Sequence, residues 1–384
     1  MQIKSLTSLR FFAALLVFLS HNQLVLSENS GLQKVVNQIS LNGYVGVTIF
    51  FILSGFILTL NYSRNIDFFR LDNIKFFYIS RFARIYPMYF FALIITLLSH
   101  FKNSQSTSGW FIHALTLQTW SADMNFAFAF NGPGWSVGVE TFLYLCFPFF
   151  LFLFKKTAHS NERIILYFLI FTTVIILNFL YFEVFETNNL QPSDKSSAHR
   201  WLYRNPIFRI PDFCIGICAA LFFQKNGLSE FSNKITLLRI SLFSSILFML
   251  SAMSMQTVYL KPISFDALYF LPITAIIVSI SYLDSVNKLH MFNNKVFVKL
   301  GEISYTFFLI QWPLGSSSVV GNLLHPVDIS LSSFELSLRY FIGLVALLLV
   351  SWVLFEIIEK PSRRYIVDKL CKGARRNHGK EPIK

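Results

Sequence analysis

Ten apolar stretches of roughly membrane-spanning length decide what this chain can become. They fall near 9–27, 43–62, 86–99, 135–154, 164–182, 207–223, 238–258, 265–284, 303–323 and 338–358. At a rise of about 1.5 Å per residue, about 20 apolar residues cross a hydrocarbon core about 30 Å thick. Of the 384 residues, 54% are hydrophobic and only 14% are charged, a balance that excludes a soluble globular protein. The pattern predicts an all-α integral membrane protein with about ten transmembrane helices. The third run is short, and residues 110–120 read as a re-entrant or interfacial segment. No small-residue cleavage site follows the first run, so a cleaved signal peptide is not expected.

The formal charge of +13 would suggest a nucleic-acid partner in a soluble protein. Here its distribution says otherwise. With the N-terminus in the cytoplasm, most lysines and arginines fall in alternate connections: Lys4 and Arg10; Arg64, Arg70, Lys75, Arg81 and Arg84; Lys155, Lys156 and Arg163; Lys225, Lys234 and Arg239; Lys288, Lys295 and Lys299; and the residues from Lys360 onward. Cytoplasmic enrichment of basic residues sets topology. The expectation is two cytoplasmic termini, a transmembrane domain over residues 1–365, a basic tail over 366–384, no appended soluble domain and no nucleic-acid partner. Cys146, Cys214, Cys218 and Cys371 form no disulfide framework and no metal-ligand spacing, so neither disulfides nor a metal are expected.

Several polar residues sit where lipid would reject them. Arg10 and His21 are eleven positions apart, close to three helical turns, so they share a face about 16 Å apart along the axis. With Arg10 at the membrane surface, His21 falls near mid-membrane, where an imidazole needs a partner, a wet cavity or a chemical task. Gly43, Gly46, Ser54 and Gly55 in the second run suit close helix packing. Arg81 and Arg84, three apart at the mouth of the third run, form a fork for phosphate or an anchor at the membrane surface. Ser136 and Glu140 share a face, and Glu140 is a candidate partner for His21 or for an arginine. Arg209 and Asp212 are spaced to pair. Ser304 and Gln311 share a face, and Pro313 should kink that helix.

Taken in order, these residues closely resemble the acyltransferase-3 family. The resemblance rests on Arg10 and His21, the stretch from Phe50 through Ser54 to Phe56, Arg81-Phe82-Ala83-Arg84-Ile85-Tyr86-Pro87, Trp135-Ser136 through Glu140, Gly301-Glu302-Ile303-Ser304-Tyr305 and Glu359-Lys360-Pro361. It covers about residues 5–365. Thr48, Thr141 and Gln311 depart from it, standing where relatives often carry acidic, acidic and histidine residues. The resemblance implies acyl transfer from a cytoplasmic acyl-CoA, usually acetyl-CoA, to a hydroxyl of a surface glycan or lipid-linked saccharide. It also implies contact with membrane lipid and a bacterial cytoplasmic (inner) membrane location. His21 and Glu140 would be catalytic, and Arg10, Arg81 and Arg84 would bind the donor. Ser54, Trp135, Ser136, Arg209, Asp212, Ser304, Tyr305 and Gln311 are candidate cavity residues. A glycan or lipid transporter is the competing expectation, since buried His, Glu and Arg also suit a substrate pathway.

Overall fold

The computed structural model describes residues 3–22, 31–102, 107–186, 198–226, 234–255, 267–290, 292–315, 319–324 and 332–371. Among them the regular structure is helical. The first half comprises α1 (Lys4–His21), α2 (Gly31–Leu41), α3 (Val45–Tyr62), α4 (Leu71–Lys102), α5 (Trp110–Ala114), α6 (Met124–Ala127), α7 (Gly134–Thr157) and α8 (Asn161–Tyr181). The second half adds α9 (Ile210–Asn226), α10 (Ile235–Met255), α11 (Phe270–Ser285), α12 (Lys295–Gly315), α13 (Val319–Leu324), α14 (Ser333–Leu354) and α15 (Lys360–Leu370). Among the described residues each of the ten apolar runs overlaps a helix, the ninth taking in both α12 and α13. Seven segments among the described residues are both long and apolar enough to cross a bilayer, and α11 is a shorter apolar helix.

Helix starts follow from side chains that accept otherwise orphaned backbone N–H groups. Ser160 accepts from the amide of Arg163 at the head of α8. Ser332 and Glu335 form a reciprocal capping box at the head of α14. α7 begins at Gly134, straight after Asn131, Gly132 and Pro133, with the Gly134 amide donating to the Asn131 carbonyl at 2.9 Å.

Burial sorts the helices into an inner and an outer set. The span containing α3 is 78% buried and that of α9 67%, against 17% for α8 and 11% for α10. The outer helices turn large apolar side chains outward, among them Leu166, Leu169, Phe243, Leu247, Phe341 and Leu349. Such an outward apolar surface is tolerable only in lipid. α1 packs between α3 and α12, and α9 packs against the far side of α3.

Glycines set these inner spacings. A Cβ on Gly46 would lie 2.2 Å from the Ala13 carbonyl oxygen, and one on Gly301 would lie 1.9 Å from that of Thr7. Gly55 and Gly216 bring α3 and α9 together reciprocally. Their added carbons would meet the Phe213 and Ile52 oxygens at 2.1 and 2.0 Å. The glycines of the second run are therefore packing residues, with the backbones in the close approach that small residues permit.

Helix bounds sharpen three positions. α4 starts at Leu71 and runs 32 residues with Pro87 inside it, so Arg81 and Arg84, just ahead of the third apolar run, lie well within a helix. His21 is the last residue of α1, and Arg10 lies about 9 Å inside the Lys4 end. Along this helix the arginine is the interior residue and the histidine the terminal one. α15 continues through residue 370, with Val367 and Cys371 packed on Ala83 of α4. The rest of the tail, 372–384, lies outside the described residues. Residues 110–120 form α5 and a short 3-10 turn at Gln118–Trp120. Their Trp110, Phe111, Leu115 and Trp120 side chains are exposed while His113 and Gln118 are buried.

Candidate active site

α1, α3, α4, α7 and α12 converge on a cavity of about 50 Å³. Arg10, Ser54, Arg84, Ser136, Glu140, Ser304 and Tyr305 line it together with Phe50, Phe51 and Phe308. Seven sequence-selected residues from five helices thus meet in one place. A cavity of this size holds a water or two, or one small polar group, and its polar wall suits that content.

Glu140 is held by its own helix and by α3. The Tyr144 hydroxyl, one turn further along α7, donates to its carboxylate, and the Ser54 hydroxyl does so at 3.3 Å. Neither bond reaches His21, so the expected Glu140–His21 pair is not formed. Distance explains this, since His21 stands at the end of α1 about 16 Å beyond Arg10. Arginines instead surround the carboxylate. Arg10 lies in the electrostatic reach of Arg84, Glu140 and Arg81, and Arg81 is itself close to Tyr62, Tyr144 and Glu140.

The end of the chain completes this cluster. Glu359, fully buried, accepts from the Thr306 hydroxyl at 2.6 Å and neighbours Arg84, Arg363 and Arg10. Arg363 of α15 adds a fourth guanidinium beside Arg84 and Arg81. The sequence reading counted the residues from Lys360 onward as cytoplasmic charge and named neither Glu359 nor Arg363 as a site residue, and so missed both. The available signal was Glu359 itself, a carboxylate at the border of an apolar run. The described ion pairs lie elsewhere, and none takes in Arg10, Arg81 or Arg84. Four guanidiniums facing two carboxylates leave a surplus of positive charge in a mostly dehydrated site. Such a site favours an anionic guest, with phosphate the best match to the planar guanidinium fork.

The other candidate residues fall into separate groups. The exposed ring of His21 lies edge-on to Trp312, with centroids 5.6 Å apart. Gln311, the residue before Trp312 on α12, donates from Nε2 to the Phe308 carbonyl at 3.0 Å, and its side chain also hydrogen-bonds to His21. The 131–133 turn closes over the same place. Asn131 donates to the Leu309 carbonyl at 3.1 Å, and a Cβ on Gly132 would meet the Trp312 ring at 2.9 Å. Phe308 links the two groups, since it lines the cavity and its carbonyl holds Gln311.

Trp135 packs on Tyr203, centroids 4.7 Å apart, away from the cavity. Arg209 and Asp212 form the expected ion pair at 2.9 Å, both almost wholly buried. Arg209 Nε also donates to the Tyr203 carbonyl at 2.8 Å, which makes the pair a brace at the head of α9. Asp212→Ala would strand the guanidinium in an apolar setting. The expected loss is about 3–5 kcal/mol of stability, read as a lower unfolding temperature in detergent.

With this geometry in hand, comparison with known proteins decides the family. The acyltransferase-3 acyltransferase domain matches residues 3–356. The chain belongs to the acyltransferase-3 family. Acyltransferase MdmB of Streptomyces mycarofaciens is similar to it, 26% identical over 327 residues that cover 81% of this chain and 78% of that protein. No solved structure matches it. The matched region of this acyltransferase-3 protein includes every residue lining the cavity, together with His21 and Gln311. By family and by its apolar helices it is a membrane acyltransferase.

Proposed function

We propose that the protein carries an acyl group, acetyl in the first instance, from acyl-CoA to a hydroxyl of a cell-surface or lipid-linked saccharide. We place it in the bacterial cytoplasmic membrane, with the Lys4 end of α1 facing the cytoplasm. One observation supports this most: a cavity inside an acyltransferase domain is lined by Arg10 and Arg84, neither of which takes part in an ion pair among the described residues. In this reading Arg10 and Arg84, with Arg363 behind them, take the phosphates of the donor. Glu140, fixed by Tyr144 and Ser54, limits their mutual repulsion while the site is empty. The extended thioester arm then lies along α1 past Ser136 and Phe308 toward Gln311 and His21.

At that far end the acceptor oxygen attacks the thioester carbonyl carbon. The C–O bond forms, the C–S bond breaks, and the thiolate leaves with the electron pair. His21 removes the hydroxyl proton, a task suited to an imidazole near neutral pH. The gap between the arginines and His21 has a use here, because phosphates and thioester lie at opposite ends of an acyl-CoA.

Incubating membranes with labelled acetyl-CoA tests the reading, the expected result being base-labile label on a saccharide. Absence of transferred label from acetyl-CoA and from longer acyl-CoA donors would reject it. Arg84→Ala removes one charge-assisted contact worth about 1.5–3 kcal/mol. Donor affinity should therefore fall about ten- to a hundred-fold in a titration calorimeter. Unchanged affinity would remove Arg84 from donor binding.

A further inference from the structure

A second and larger space adjoins the cavity. A groove of about 480 Å³ runs between α4, α7 and the segment that follows α5. Tyr78, Ile85, Tyr86, Leu115, Thr141 and Leu145 contribute to its walls. Its length along α4, from Tyr78 to Tyr86, is about 12 Å. Leu115 and Leu145 are exposed, so the groove opens on the outward, lipid-facing side of the helices. Ile85 lines both spaces, and Arg81 and Tyr144 stand at the inner wall of the groove beside Glu140.

The polar groups of the walls are already satisfied. The Tyr78 hydroxyl donates to the Leu145 carbonyl at 3.0 Å, that of Tyr86 to the Ala114 carbonyl at 3.0 Å, and that of Thr141 to the Val137 carbonyl at 2.8 Å. What they present to the groove is hydrocarbon and ring. Arg81 is the exception. Its Nε is buried without a hydrogen-bond partner, while its guanidinium hydrogen-bonds to Tyr144 and lies 5.8 Å from the centre of that ring. An apolar channel of ligand size with one under-bonded cation at its closed end matches an amphiphile with an anionic head.

We propose that this groove holds the hydrocarbon chain of an anionic amphiphile whose phosphate or carboxylate meets Arg81. One of the two substrates would then enter sideways from the bilayer. The part of the proposal that makes the amphiphile a substrate rests on the reading of the cavity as the acyl-transfer site; the binding itself does not. The chemistry shared by a lipid-linked saccharide phosphate and an ordinary acidic phospholipid is a chain plus an anion, and the experiment separates them.

The protein in lipid nanodiscs is irradiated with a phospholipid carrying a diazirine in its chain and a phosphate-only head, and the labelled peptides are mapped. Label is expected to concentrate on α4 and α7. Leu145→Trp fills the groove while leaving the main-chain carbonyl that Tyr78 needs, and should cut this label about ten-fold. Leu145→Ala, which opens it, should not. Arg81→Gln should weaken labelling by the phosphate probe and spare a neutral probe of the same chain. Polyprenyl phosphate competing better than excess acidic phospholipid identifies a carrier-linked substrate. Equal competition identifies a bound membrane lipid and overturns the substrate role. Label spread evenly over α8, α10 and α14, or unchanged by Leu145→Trp, overturns the groove. Groove labelling without acyl transfer would instead reject the function while leaving the binding site standing.

Discussion

His21→Ala should reduce acyl transfer by about two to four orders of magnitude, the range that a positioned proton acceptor contributes. Donor binding should hardly change. The arginines that would hold the phosphates stand about 16 Å away along α1, and no hydrogen bond ties His21 to Glu140. The fold should also survive, because the imidazole ends its helix, where it meets the edge of Trp312 and hydrogen-bonds to Gln311. The measurement is a pair: turnover of labelled acyl-CoA by purified protein, and donor affinity on the same preparation. Lost turnover with intact affinity places the proton transfer at His21. Turnover at the wild-type rate would exclude it. Loss of both would mean that the histidine supports the donor site, against the separation seen along α1.

Gly216→Val should produce the largest loss of folded protein. The first added carbon alone would lie 2.0 Å from the Ile52 oxygen and 2.9 Å from the Phe56 nitrogen, both main-chain atoms that cannot rotate away. α3 would have to move off α9, and Gly55 on the facing surface already requires the same approach from the other side. Over-packing a tight core costs about 1–3 kcal/mol where side chains can yield. Here they cannot, so the expected cost lies at or above the top of that range. The shift would carry Phe51 and Ser54 with it, and with them one wall of the cavity. Fluorescence-monitored gel filtration after heating should show a much lower unfolding temperature, or aggregate at once. A wild-type profile would show that the two helices have room to separate.

Much of this arrangement could be read from residue order, and the parts that could not have physical reasons. The helices were legible because lipid leaves backbone groups no partner outside a helix, so apolar runs of that length admit few other readings. Arg10, Ser54, Arg84, Ser136, Glu140, Ser304 and Tyr305 were each conspicuous as polar residues in apolar surroundings, and all seven line one cavity. Their mutual placement was less legible. Glu140 was matched with His21 because both were unusual, whereas its bonds come from Tyr144 a single turn away and from Ser54 across the helix interface. One tyrosine of 15 draws no notice in a sequence so rich in rings. Arg81 and Arg84 were assigned to a helix mouth because the polar first turns of α4 do not look like a span. Glu359 and Arg363 were hidden for the opposite reason. In a basic segment after the last apolar run, charges read as ordinary anchors, and only packing of α15 on α4 turns them inward.

That packing has a consequence for how the protein is made. Arg10 leaves the ribosome long before Glu359 and Arg363, which lie far downstream of it in the chain. The cluster therefore has no counterpart in any nascent intermediate. Until α15 folds back onto α4, the early arginines wait in a half-built wall without their buried carboxylate neighbour. A ribosome stalled before Glu359 would leave an inserted chain with an incomplete charge cluster. Competence would then arrive in one step, when α15 closes on α4.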